Sequence, residues 1–131
     1  MQLNHEIPDF AYAFRIVGAD SVVFEDRVNA DTRRVVKSFI VTPQALLEDW
    51  PAPASVKELT PDHLATVLAQ QPELVILGTG EKQQFPSAAV MGACLTRNIG
   101  IEVMDNGAAA RTFNLLAGEG RNVAAAILLP G

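Results

Sequence analysis

Leu74-Val75-Ile76-Leu77-Gly78-Thr79-Gly80 sets the architecture expected of this chain. Four consecutive apolar residues with no polar alternate are the pattern of a strand buried on both faces, as in a parallel sheet covered by helices. The two glycines around Thr79 then end it. Upstream, Thr60-Pro61 predicts a helix over Pro61–Gln70, with the threonine hydroxyl as cap, proline at the first helical position and Pro72 beyond the stop. Downstream, the pattern predicts a helix over Ser87–Asn98, ended by Asn98 and Gly100, and a strand over Ile101–Met104. A third helix follows, capped by Asp105 or Asn106 and running to Leu116 or Ala117, and then a last strand over Val123–Leu129. Strand, helix, strand, helix and strand in succession imply parallel strands joined by right-handed crossovers.

Before residue 44 the signal is β. Phe14 and Ile16 alternate with Ala13 and Arg15, Gly18-Ala19-Asp20-Ser21 supplies turn chemistry, and Val22-Val23-Phe24 completes a hairpin. A further run covers Val35–Val41, while the polar stretch Glu25–Arg34 is expected to be a connection. Ala45-Leu46-Leu47 is expected as a short turn of helix, and Trp50-Pro51-Ala52-Pro53 must be irregular. The fold class is therefore α/β (α+β), a single compact domain over residues 1–131. Its antiparallel β-rich N-terminal part packs with a C-terminal β-α-β-α-β unit.

Composition narrows the function. The 131 residues are 49% hydrophobic and 19% charged, enough apolar material for a core and unlike a disordered chain. Ten basic against fifteen acidic residues give a net charge of −5, which argues against a nucleic-acid binder that tracks phosphates. Val123–Leu129, the longest apolar run, is far short of the ~20 residues of a membrane-spanning helix, so no membrane insertion is expected. Cys94 stands alone, which excludes an internal disulfide framework or a cysteine-based zinc site. No secretory signal is visible at the N-terminus, and a cytoplasmic location is expected.

Ligands of open parallel sheets sit beyond the carboxyl ends of the strands. That edge would gather Gly78-Thr79-Gly80-Glu81, Asp105-Asn106-Gly107 and Pro130-Gly131. Unobstructed amides at the glycines and at the start of the third helix suit a small anion, although a tight turn between strand and crossover explains the same residues. A dinucleotide fingerprint fails, because its third glycine would fall at Gln83, and no P-loop is present. On the third helix Ala109, Phe113, Leu116 and Ala117 form a core stripe, with Arg111 on the far side and Asn114 beside it. Glu102 points away from Ile101 and Val103, and a structural ion pair with Arg111 or Arg121 is expected. His5 and His63 lack a third ligand at a metal-binding spacing, Cys94 fits a buried small hydrophobe, and no serine has a catalytic motif around it.

Three segments together carry a resemblance: Leu77–Pro86, Gly100–Asp105 with Ala109–Leu116, and Glu119–Ala126. With Ile40-Val41-Thr42-Pro43 and Trp50, they make the chain similar to domain-of-unknown-function family 498, which includes the mitochondrial respiratory complex I assembly factor 3 and many small bacterial and archaeal proteins. The resemblance implies a compact α+β or α/β fold with a β-rich N-terminal part, and no established enzymatic activity or cofactor. Its motif positions here are Gly78, Thr79, Gly80, Gln83, Glu102, Asp105, Arg111, Thr112 and Asn114. Relatives often carry a small hydroxyl residue directly after the Met-Asp pair, where this chain has Asn106-Gly107. The expectation is a non-catalytic protein-binding or assembly-factor-like module with a protein partner and no cofactor. The alternative is a small-anion or metabolite binding protein, or an enzyme, using a groove between Thr79 and Asp105-Arg111 and lined by Gly78, Gly80, Gln83, Thr112 and Asn114.

Overall fold

The computed structural model describes residues 10–130. Three antiparallel strands, β1 (Tyr12–Val17), β2 (Val22–Asp26) and β3 (Asp31–Val35), form one sheet in sequence order. The chain then crosses to a five-stranded sheet that starts with β4 (Phe39–Val41) and β5 (Leu46–Leu47). It continues with β6 (Leu74–Gly78), β7 (Gly100–Met104) and β8 (Val123–Ile127), in the spatial order β5-β4-β8-β6-β7. β6 is parallel to both β7 and β8, while β4 runs antiparallel to β8. Helix α1 (Ala65–Ala69) follows a 3₁₀ turn over Pro61–Leu64; α2 (Ala88–Leu95) links β6 to β7, and α3 (Asn106–Gly118) links β7 to β8. The expected mixed fold and its C-terminal β-α-β-α-β unit are both present.

Strand order explains the layers. From β6 the chain moves outward to β7, then returns across β6 to β8, so two right-handed crossovers place their helices on opposite faces. β8 is buried along its whole length and its side chains alternate between two cores. Val123, Ala125 and Ile127 join Phe10, Phe14, Phe24, Phe39 and Phe113, where α3 is held between the two sheets. Ala124 and Ala126 join Trp50, Leu64, Val67, Val90 and Cys94 under α1 and α2. The alanines of β8 leave room for the aromatic rings of one layer and the helices of the other.

Three local expectations are corrected. Asp31–Val35 is a strand, not part of a connection: it pairs with β2 from Val22↔Val35 to Asp26↔Asp31 as an edge strand whose first four residues are exposed. Ala45-Leu46-Leu47 does not turn as helix, because Leu46 and Leu47 pair with Val41 and Ile40. The run Val35–Val41 breaks after Val35 and changes sheets. Within Pro61–Gln70 the first turn is 3₁₀, and the His63 ring accepts the Thr60 N–H at 2.9 Å. Asn98 has φ 59°, the left-handed stop expected after α2.

Candidate functional site

The carboxyl ends of β8, β6 and β7 do meet, and a buried asparagine joins them. Asp105 caps α3 by accepting the Ala108 N–H at 2.8 Å, which sets Asn106 at the first helical position. The Asn106 N–H donates to the Gly80 carbonyl at 2.8 Å, and its side-chain Oδ1 accepts the Gly80 N–H at 3.0 Å. Its Nδ2 donates to the Leu128 carbonyl at 3.0 Å. One side chain, only 4% exposed, therefore ties the turn after β6 to the chain leaving β8. Gly78 makes the approach possible, because a Cβ there would stand 2.5 Å from Asn106 Oδ1 and 2.7 Å from Ile127 Cδ1. Gly80 has φ 105°, a conformation open mainly to glycine.

The neighbouring motif residues are also engaged with backbone. The Thr79 hydroxyl donates to the Lys82 carbonyl at 2.7 Å and accepts the Gln84 N–H at 3.1 Å. Gln83 Nε2 donates to the Val103 carbonyl at 2.8 Å, lashing the loop to edge strand β7. The Thr112 hydroxyl lies 3.5 Å from Met104 Sδ. Gly78, Thr79, Gly80, Gln83 and Asp105 thus lie at one edge, with Thr112 further along α3 against Met104; Thr79 binds the loop's own backbone, Gln83 ties it to β7 and Asp105 caps the helix. The chemistry of this edge is that of a polar lock.

Arg111 and Asn114 face a different wall. Asn114 Oδ1 accepts the Phe14 N–H at 2.9 Å and its Nδ2 donates to the Phe14 carbonyl at 2.9 Å, in the manner of a neighbouring strand. Beside it is a cavity of about 290 Å³ lined by Phe14, Arg15, Val17, Gly107, Ala110, Arg111 and Asn114. This groove opens between α3 and β1, so Arg111 is grouped with Arg15 and not with Thr79.

The anticipated ion pair is not among those of the described residues. Glu102 is an exposed residue on β7, the outer strand of its sheet, where a charge is easily solvated and hinders pairing with another edge. Arg121 instead meets Glu73 at 2.9 Å, and Glu73 also accepts the Asn122 N–H at 3.1 Å. Arg121, then the Asn122 amide, holds the Glu73 carboxyl below its ordinary value. A carboxyl depressed on folding adds stability above its unfolded pKa and loses it as pH falls through the folded one. Glu73→Gln is therefore expected to cost a little stability at pH 7, the pair being exposed, and to converge with the wild type as pH falls below about 4.5, as followed by urea unfolding across a pH series.

Other chemistry-bearing groups are structural. Cys94 is fully buried, and burial pushes its thiol pKa up, against a smaller opposing effect of Arg97, so the nucleophilic thiolate is disfavoured. No cluster of three or more His, Cys, Asp or Glu suited to a metal occurs among the described residues, and His5 lies outside them. No described helix is long and apolar enough to cross a membrane. What sequence reasoning missed is the buried bridging role of Asn106, which it placed at this edge and weighed as a cap. Its signal was present: stepping back three and seven residues from Ala109 and Phe113 places Asn106 on the core stripe. Arg15 was also missed, since its placement depends on a bulge between Phe14 and Ile16.

A solved structure shares this architecture, and curated proteins share part of the sequence. A Xanthomonas campestris protein solved by NMR is 46% identical, with a TM-score of 0.78 over 100% of this chain and 94% of that one. The human NADH dehydrogenase [ubiquinone] 1 alpha subcomplex assembly factor 3 is 35% identical over 78 residues, 58% of this chain and 42% of that protein. The 13 kDa major membrane protein of Francisella tularensis is 33% identical over 73 residues, 56% of this chain and 59% of that one. The chain spans about half the length of these curated relatives. The model for proteins of unknown function DUF498/DUF598 matches residues 20–128, and the chain belongs to that family.

Proposed function

We propose that this protein is a non-catalytic binding module for other proteins, acting in the manner of an assembly factor for a membrane-bound respiratory complex. The observation that carries the reading is the commitment of the edge where an α/β ligand site would form. There Asn106, Thr79 and Gln83 direct their side chains to backbone groups of the fold. An enzyme would group a nucleophile or base with an oxyanion donor around open space. The similarity to an assembly factor named for NADH dehydrogenase supplies the proposed class of partner, a respiratory membrane complex. The proposed compartment is the cytoplasm. The reading includes no cofactor and no nucleic acid.

In-cell cross-linking of the tagged chain tests it. Enriched cross-links to subunits or assembly proteins of the NADH dehydrogenase are expected; a pattern matching an unrelated acidic control protein would remove the reading. The second reading, a small anion held by the groove residues Arg111 and Asn114, is favoured by the 290 Å³ cavity beside them. A ligand of that kind raises stability by RT ln(1 + [L]/Kd), so thermal-shift profiles against phosphosugars, nucleotides and carboxylates separate the two.

A further inference from the structure

The groove between β1 and α3 is cationic on a chain of net charge −5. Helix and strand pass antiparallel: a Cβ on Gly118 would meet Phe10, Asn114 binds Phe14, and Gly107 and Ala110 share the groove with Val17. The bulge between Phe14 and Ile16 leaves two successive residues, Arg15 and Ile16, exposed. Val23 pairs with Ile16 on one side and with Arg34 on the other, so an exposed third cation lies across the same small sheet. On the helix, Arg111 and Leu115 are both exposed and one turn apart. Ile16 and Leu115, 63% and 61% exposed, are chain neighbours of the groove but not part of its lining, whose apolar groups are Phe14, Val17 and Ala110. Among nearby acids, Glu25 is engaged by Arg27, Asp26 by the Val28 and Asn29 N–H groups and Asp105 by its cap, while Asp31 shares a second cavity with Arg15.

Backbone geometry adds direction. β1 is the outer strand of its sheet, and Asn114 already pairs with Phe14 through one N–H···O and one N–H···O=C bond. The alternation of antiparallel pairs turns the Val17 N–H and C=O to the same outer edge. We infer that this groove docks an acidic, extended segment of a partner polypeptide, with Arg15 and Arg111 holding its carboxylates and the edge of β1 at Val17 receiving its backbone. A volume of about 290 Å³ holds a side chain or two, and arginine is enriched among the residues that carry protein interfaces. The inference rests on the protein-binding reading and names the chemistry of its partner.

Fluorescence anisotropy with a fluorescein-labelled octapeptide of alternating glutamate and valine tests it, beside glutamine–valine and lysine–valine peptides. The glutamate peptide is expected to bind more tightly than either control, and to weaken as salt shortens the Debye length. Arg15→Glu/Arg111→Glu should weaken it by about tenfold or more, and Arg15→Gln/Arg111→Gln by less, with melting temperatures unchanged. Equal binding of the glutamate and glutamine peptides, no binding at all, or undiminished binding by the Glu double variant would each overturn the inference. So would displacement by glutarate or inorganic phosphate as effective as by the unlabelled peptide, which would mark a small-anion site. Cross-linking in cells with the double variant separates the two levels: partner cross-links that persist unchanged keep the binding-module reading and exclude this groove.

Discussion

Asn106→Ala is expected to lower the free energy of unfolding by about 2–3 kcal/mol, because a buried carbonyl and a half-buried N–H lose their bonds and an unsatisfied buried group costs roughly 1–3 kcal/mol. The groups are the Gly80 N–H and the Leu128 carbonyl, each 3.0 Å from the Asn106 amide. Urea unfolding at constant slope measures it, and a loss under 0.5 kcal/mol would show that water satisfies both groups. Asn106→Asp sharpens the assignment. It keeps an acceptor for Gly80 but sets a second acceptor against the Leu128 carbonyl, so much of the loss should remain at pH 7. As pH falls the aspartic acid can donate, and the gap to the wild type should narrow. Gly78→Ala should cost about 1–3 kcal/mol by overpacking. Part of that clash is with Asn106 Oδ1 at 2.5 Å, so the two alanine substitutions should be less than additive. The remainder, against Ile127 Cδ1 at 2.7 Å, should persist in the double variant.

The same lock shows what a sequence can and cannot tell. Leu74–Leu77 read as a doubly buried strand because burial on both faces removes the polar alternates, and β6 is indeed central. Asp105 read as a cap because capping is local chemistry three residues long. The role of Asn106 depends on three strand ends meeting, and spacing along one helix marks the position without naming its partners. Asp31–Val35 escaped because an outer strand of an exposed sheet takes its conformation from pairing with β2, not from apolar alternation. The turn that positions it is built by Asp26, which accepts the Val28 and Asn29 N–H groups. Glu102 shows the same limit: alternation gave its orientation relative to Val103, but strand order decided that it faces solvent. For Arg111 the helix face was legible, whereas the wall opposite it was made by a bulge 96 residues earlier, at Arg15.

Phe24→Ala is expected to be the most damaging single truncation in the small sheet, at about 3–5 kcal/mol for a fully buried phenylalanine. Phe24 is 0% exposed, with its ring centroid 4.5 Å from that of Phe14 on β1 and 5.3 Å from that of Phe39 on β4. It therefore joins the strand bearing the bulge to the five-stranded sheet, and both partners lose packing when the ring is removed. Natural domains are stable by about 5–15 kcal/mol, so the loss is roughly a fifth or more of a typical total. Phe24→Leu keeps most of the volume and should cost less than Phe24→Ala. Unfolding by urea gives the magnitudes, and amide hydrogen exchange gives the location. β1–β3 should lose protection before β6 and β8, because Phe24 lies in the aromatic layer and the opposite core under α1 and α2 is untouched. Uniform loss across both sheets would mean that the two cores open as one unit. If the small sheet loosens first, the groove loses its β1 wall while α3 remains, and binding of an acidic peptide should fall in a variant whose Arg15 and Arg111 are both intact.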